Sequence, residues 1–202
     1  MGGALVHRGR GFTIESIVVG ALDNNVFIVT DAGTGETVII DAADDASAIL
    51  TAVDGHKVTS IITTHGHWDH HQAVEPVSAA LAAPFLLHPA DVDIAQKVPD
   101  QLLEPGSFTI GGTEGAILHT PGHTPGSVCV LLDGAVLTGD TLFPGGPGAT
   151  HFAHGSFPTI IASIEGHLFA LPDDTVVFPG HGAATTIGTE RPQLQDWIGR
   201  GW

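Results

Sequence analysis

Five ligand-type side chains, His65, His67, Asp69, His70 and His71, fall within seven residues of the stretch Thr63-Thr64-His65-Gly66-His67-Trp68-Asp69-His70-His71. Four imidazoles and a carboxylate at that density are costly to hold together unless a cation joins them. In extended backbone His65 and His67 point to the same side. The pattern therefore suggests a divalent metal. Three further motifs each offer one potential ligand beside a glycine: Thr120-Pro121-Gly122-His123-Thr124-Pro125-Gly126, Thr138-Gly139-Asp140-Thr141 and Phe178-Pro179-Gly180-His181-Gly182. Glycine lets the backbone approach a crowded site closely. Imidazole with carboxylate and no thiolate suits zinc, and is compatible with iron or manganese.

Such ligands must be delivered by turns at strand ends. β-Branched segments at residues 13–20, 25–30 and 36–40, separated by turn residues, predict an antiparallel meander. Helical spacing over 41–53 and a buried strand at 58–62 then predict a crossover unit, which places the histidine cluster at the carboxyl end of a strand. Asp69 and His70 are expected to open the next helix, which runs through 74–83. A short strand at 85–87, a short helix at 89–97 and a strand near 108–110 follow. The second half repeats the theme, with strands at 116–119, 127–132, 135–137 and 175–178. Between them lie a Gly/Pro-rich loop over 143–155 and a helix over 157–171.

The 202-residue length suits one domain spanning 1–202. Mean hydropathy is +0.26, yet no apolar run approaches the roughly 20 residues that span a bilayer. Nothing near the N-terminus resembles an export signal, and Cys129, the only cysteine, permits no internal disulfide. A soluble cytoplasmic protein is expected, with a small-molecule substrate. A formal charge of −16 opposes nucleic-acid binding, and no membrane partner is expected. The oligomeric state is left open.

The set His65-x-His67-x-Asp69-His70, His123, Asp140 and His181 resembles the metallo-beta-lactamase superfamily in its full seven-ligand form. The resemblance implies an α/β (α+β) fold, a four-layer αββα sandwich. It also allocates ligands for two divalent ions, zinc first and iron or manganese as alternatives. His65, His67 and His123 would hold one ion, Asp69, His70 and His181 the other, and Asp140 would bridge. The activity implied is hydrolysis by a hydroxide shared between the ions, oriented by Asp69 as a catalytic residue. Within the superfamily, His67-Trp68-Asp69-His70, the 120–126 motif, Gly139-Asp140-Thr141-Leu142-Phe143, Pro179-Gly180-His181-Gly182 and the tail 185–191 resemble the single-domain glyoxalase II-like branch. That branch cleaves S-2-hydroxyacylglutathione. Where it carries a lysine or arginine for glutathione, this chain reads Gly148-Ala149-Thr150-His151, so a related thiol carrier stays open. The competing readings are a mononuclear-iron persulfide dioxygenase using His65, His123 and Asp140, a lactone or ester hydrolase of the same superfamily, and a metal-stabilised binding protein.

The remaining histidines are weighed separately. His71 is expected to cap or face solvent rather than coordinate. His88 and His119 read as structural, with His119 a possible partner of a ligand. His151 and His154, in the loop beside the pocket, are candidate substrate contacts. Trp68 is expected to pack near the site, and Thr141 to hydrogen-bond a ligand.

Overall fold

The computed structural model describes residues 3–201. Its first sheet has seven strands in sequence order: β1 (Ala4–Arg8), β2 (Phe12–Val19), β3 (Asn24–Asp31), β4 (Glu36–Ile40), β5 (Lys57–Ile62), β6 (Phe85–Leu87) and β7 (Gln101–Leu102). Strands β1 to β4 pair antiparallel; β4 to β7 pair parallel. The second sheet is ordered β15-β14-β11-β10-β9-β8. It is built from β8 (Gly106–Ile110), β9 (Thr113–His119), β10 (Val128–Leu132), β11 (Ala135–Gly139), β14 (Val176–Pro179) and β15 (Thr185–Thr186). A ribbon of β12 (Leu142–Phe143) and β13 (Gly146–Pro147) stands apart.

Side-chain alternation explains the layering. In β3, Phe27 and Val29 face the second sheet, while Val26 and Ile28 face the opposite way. The inner set joins Val38, Ile40 and Ile62 of the first sheet to Val128, Val130, Leu132 and Leu137 of the second. Outside the first sheet lie α1 (Ala46–Ala52) and α2 (Val74–Leu81), which bury Ile49, Val74 and Val77. A short α3 (Val92–Ala95) follows β6. Outside the second sheet, α4 (Phe157–Ser163) and α6 (Leu194–Arg200) cover Cys129, Val136 and Val177 with Ile160, Ile161, Leu194 and Trp197; α5 (Ile187–Glu190) adds Ile187. Because strands such as β11 are buried on both faces, they read as continuous apolar runs. The layers are therefore α, β, β and α, as expected.

Several boundaries differ from the sequence reading. β1 precedes the first expected strand. The helix expected from residue 41 begins only at Ala46, with Asp45 accepting from Ala48 N–H as its cap. Asp41 leaves β4 at φ 60°, and its carboxylate is drawn into the site instead. Asp69 and His70 do not open a long helix: they occupy a single 3-10 turn, Trp68–His70, and α2 starts at Val74. The β12/β13 ribbon, beginning at Leu142, occupies the start of the expected 143–155 loop. The helix predicted over 157–171 changes pitch after Ser163, where Ile164–Leu168 forms a wide π turn closed by Phe169 N–H on the Ile164 carbonyl at 2.8 Å. Among the described residues, no helix is long and apolar enough to cross a membrane.

Candidate metal centre

Two parallel pairs, β4/β5 and β11/β14, bring four strand ends to one edge of the sandwich. Asp41 leaves β4, and Thr63 to His65 leave β5. Asp140 follows β11, and His181 lies just past β14. His123 comes from the β9–β10 connection. All seven expected ligands converge there.

Three groups of side chains have ligand atoms mutually within 4.8 Å: His65, His67 and His123; His65, His70 and Asp140; Asp69, His70 and His181. Asp140 lies between the two ends. One of its oxygens is 3.4 Å from His70 Nε2; the other is 3.6 Å from His123 Nε2 and 3.8 Å from His181 Nε2.

Hydrogen bonds at the far ring nitrogen fix how most of these imidazoles face. His123 Nδ1–H donates to the Ala149 carbonyl at 2.7 Å, and His181 Nδ1–H to the Leu22 carbonyl at 2.9 Å. His70 Nδ1–H donates to Asp41 Oδ2 at 2.9 Å. The Thr64 hydroxyl gives its one proton to Asp41 at 2.9 Å, so it accepts from His65 Nδ1–H at 3.1 Å. In all four the Nε2 atom faces the centre. His67 presents Nδ1 instead, 3.2 Å from His65 Nε2.

Two buried atoms in this cluster, His123 Nε2 and Asp140 Oδ1, have no hydrogen-bond partner. Orphaned buried polar atoms are costly, and lone pairs aimed at one point suit a cation. The donor set, nitrogen and carboxylate oxygen, fits zinc, iron or manganese. The residues present therefore fit a divalent metal.

Electrostatics divide the cluster. Burial, reinforced by neighbouring imidazoles, drives His65 far below its ordinary value and His67 to about 4. Burial also lowers His123, against the pull of Asp140. At the other end, burial opposes a charge on His70, but Asp140 and Asp41 outweigh it and hold the ring protonated. His181 is raised by its hydrogen bond to Asp69. The two Nε2 atoms lie 3.2 Å apart, so only one N–H can point between them, and the pair shares one extra proton. Burial likewise opposes ionisation of Asp69, but His181, His70 and Asn24 prevail and keep its carboxyl below the usual range.

Supports missed at the sequence level hold these loops. Asn24 Nδ2–H donates to Asp69 Oδ2 at 3.0 Å, and Asn25 Nδ2–H donates to the carbonyls of Pro179 at 2.9 Å and Gly182 at 3.0 Å. Asp91, fully buried, accepts from Gly66 N–H at 2.7 Å, Gly126 N–H at 2.6 Å and the Thr124 hydroxyl at 2.6 Å. It straps the His65–His70 loop to the His123 loop. Their signal was faint: Asp41 sits at a strand end, as the ligands do.

Other expectations are corrected by position. His71 does not face solvent; it is 3% exposed, and its Nε2–H donates to the Gly66 carbonyl at 3.2 Å, outside the metal-capable groups. His119, read as structural, is placed as such: its ring stacks on His88 at 4.4 Å and bonds the Pro125 carbonyl rather than a ligand. Thr141 bonds Thr120 at 3.1 Å rather than a ligand. His151 and His154 are exposed and line neither lobe of the cleft. Phe152, between them, turns inward against His67 at 5.0 Å and His123 at 5.8 Å. Trp68 stands at the rim, 60% exposed.

A four-layer sandwich with a His/Asp cluster between strand ends of both sheets defines a metallo-hydrolase architecture. Residues 19–181 match the family model described as the metallo-beta-lactamase superfamily, and the chain belongs to that superfamily. It is 32% identical to a hydroxyacylglutathione hydrolase of Haemophilus influenzae over 88% of this chain and 94% of that protein. Among solved structures it resembles the BLEG-1 B3 metallo-beta-lactamase, with a TM-score of 0.80 at 31% identity over 89% of this chain and 96% of that one. It also resembles TTHA1623 in a di-iron-bound form, with a TM-score of 0.78 at 33% identity over 87% and 96%.

Proposed function

We propose that the chain hydrolyses thioesters at a two-metal centre, with His65, His67 and His123 holding one divalent ion, Asp69, His70 and His181 the other, and Asp140 between them. The observation that carries this reading is the pair of orphaned buried atoms, His123 Nε2 and Asp140 Oδ1, within a cluster in which hydrogen bonds at Nδ1 turn the Nε2 atoms of His65, His70, His123 and His181 toward one centre. Zinc is the first choice of metal; the di-iron form of TTHA1623 keeps iron in view. When bound, such ions lower the pKa of water and polarise a carbonyl oxygen.

The chain's own groups do the rest. Asp69, held ionised and clamped by Asn24, is placed to orient the attacking water by accepting a hydrogen bond from it. Water oxygen bonds to the carbonyl carbon, the C–S bond breaks, and the departing thiolate takes up one of the water protons, leaving the acid and the free thiol. The substrate class proposed is an S-2-hydroxyacyl thioester of the glutathione type or of a related thiol carrier, supported by likeness to the Haemophilus influenzae enzyme. A second reading, opening of a β-lactam ring, is favoured by likeness to BLEG-1.

Element analysis of the purified protein, coupled to a thioester panel, tests the proposal. We expect two divalent ions per chain and thioester turnover that falls by about 100-fold or more in Asp69→Ala and His181→Ala, on the scale of metal-assisted catalysis. If no thioester is cleaved faster than in buffer, the assignment is wrong. Nitrocefin turnover would support the second reading, and a single iron with oxygen uptake on a persulfide would replace both.

A further inference from the structure

Two lobes open beside the metal centre, and their walls are more informative than their size. The first, about 520 Å³, is lined by Leu22, Trp68 and Phe152 around His67, Asp69, His123, Asp140 and His181. The second, about 320 Å³, is walled by Phe143, Pro144, Pro147, Ala149 and Phe152. Phe152 lines both, as do His123 and Asp140, and its ring, set edge-on to His67 and His123, stands where the two lobes meet beside the cluster. Leu22, Trp68 and Phe152 are 50%, 60% and 46% exposed, unusually open for large apolar side chains that surround one opening.

Among the described residues, no lysine or arginine lines either lobe. The chain has six such residues. Arg10, Lys57, Lys97 and Arg191 pair with Asp133, Glu36, Glu75 and Asp173. Arg200 donates to the Gly145 carbonyl, and Arg8 lies on β1. With a formal charge of −16, the protein as a whole also repels anions. A carboxylate-bearing thiol such as glutathione would place its charges against half-exposed aromatic and proline walls that offer them no lysine or arginine partner. A neutral aromatic group would instead gain contact area and ring stacking there.

We infer that the cleft selects thioesters whose thiol portion is uncharged and apolar, with Phe152 separating that portion from the acyl group and Trp68 packing against one arm. This rests on the thioesterase reading but narrows its substrate to a class opposite in charge character to a glutathione conjugate. Phe152 and Trp68 are then specificity-determining residues rather than catalytic ones.

The test uses the metal-loaded full chain and thioesters of one 2-hydroxy acid on three thiols: benzyl mercaptan, N-acetylcysteamine and glutathione. The matching non-hydrolysable thioethers serve for direct binding by calorimetry. We expect kcat/KM to be at least about tenfold higher for the benzyl than for the glutathione thioester, with thioether Kd values in the same order, a difference equal to one well-packed aromatic contact. Phe152→Ala and Trp68→Ala should each reduce that preference severalfold, chiefly through KM and thioether binding, while leaving metal content unchanged. Ala149→Lys should raise activity toward glutathione. A glutathione thioester that is cleaved and bound as well as the benzyl one overturns the inference and leaves the thioesterase reading intact. If no thioester is cleaved, the thioesterase reading falls, and the thioether affinities alone decide the preference: benzyl ahead supports it, glutathione ahead or equal overturns it.

Discussion

Asp91 offers the sharpest test of how the centre is held, because it touches no expected ligand side chain yet anchors two ligand loops. Its carboxylate accepts three donors: Gly66 N–H, flanked by His65 and His67, the Thr124 hydroxyl beside His123, and Gly126 N–H. In Asp91→Asn the shape is preserved but only one oxygen remains. That oxygen can keep the two donors now shared by Oδ2, which leaves Gly126 N–H facing an amide NH2 group. Losing one hydrogen bond to a charged acceptor costs about 1.5–3 kcal/mol, and stranding a buried donor about 1–3 kcal/mol more, so a loss of about 4 kcal/mol is expected. The loops carrying His65, His67 and His123 then lose their common anchor. Metal retention should fall 10- to 100-fold, roughly the effect of removing a group that orients a ligand.

Denaturant unfolding and a chelator titration read the two effects separately. Asp100→Asn is a useful control, since Asp100 takes one donor, Phe85 N–H at 2.8 Å, on an unrelated turn. It should lose some stability and no metal affinity. If Asp91→Asn behaves like that control, keeping its metal while unfolding more easily, the positioning argument is wrong.

Two further perturbations follow from the same geometry. A Cβ at Gly180 would lie 2.5 Å from Asp140 Oδ1 and 2.6 Å from His70 Cε1, so Gly180→Ala should strip metal and activity with every ligand still present; element analysis of a folded variant that retains its metal would contradict this. Acidification should remove the ions in order. His70 and His181 share a proton held above the ordinary imidazole value of about 6.5, so at their end a metal competes with that proton from near neutral pH downward. At the other end His67 is lowered to about 4 and His65 and His123 are lowered too, so those rings stay unprotonated to more acidic pH. Metal content after dialysis across a pH series should therefore pass through one ion per chain, and simultaneous loss of both would refute this division.

How much of this was legible in the sequence depends on the distance over which each residue acts. The strands were readable because their signal is local: Val26-Phe27-Ile28-Val29 is a short run of β-branched and aromatic residues bounded by turns, although which face each side chain takes only the structure shows. The ligands were readable because histidine and aspartate beside glycine at strand ends are chemically marked. Asn24, Asn25, Asp41 and Asp91 were not. Each has an ordinary local role as a turn or helix-start residue, and the partners that redefine it lie 45, 154, 29 and 35 residues away in sequence. The same holds for the cleft wall: His151 and His154 drew attention by their chemistry, but the packing of the loop turns Phe152 inward, and nothing in the local sequence distinguishes an inward phenylalanine from an outward histidine.

These long-range supports also show where the stability of the centre resides. The first sheet contributes His65, His67, Asp69 and His70, and the second His123, Asp140 and His181. The ties between them cross the seam: Asn25 of β3 reaches the 179–182 turn, Asp91 reaches the 124–126 turn, and Val128 N–H donates to the Thr64 carbonyl at 2.9 Å. An ion held by side chains of both sheets is thus a further contact across the inner core of Phe27, Ile40, Val130 and Leu137. Its binding free energy adds to that of sheet packing, because the unfolded chain has no such site. The cost of gathering five imidazoles and two carboxylates on one edge is borne by the folded sandwich, and metal binding at that seam would return part of it as resistance to the two sheets coming apart.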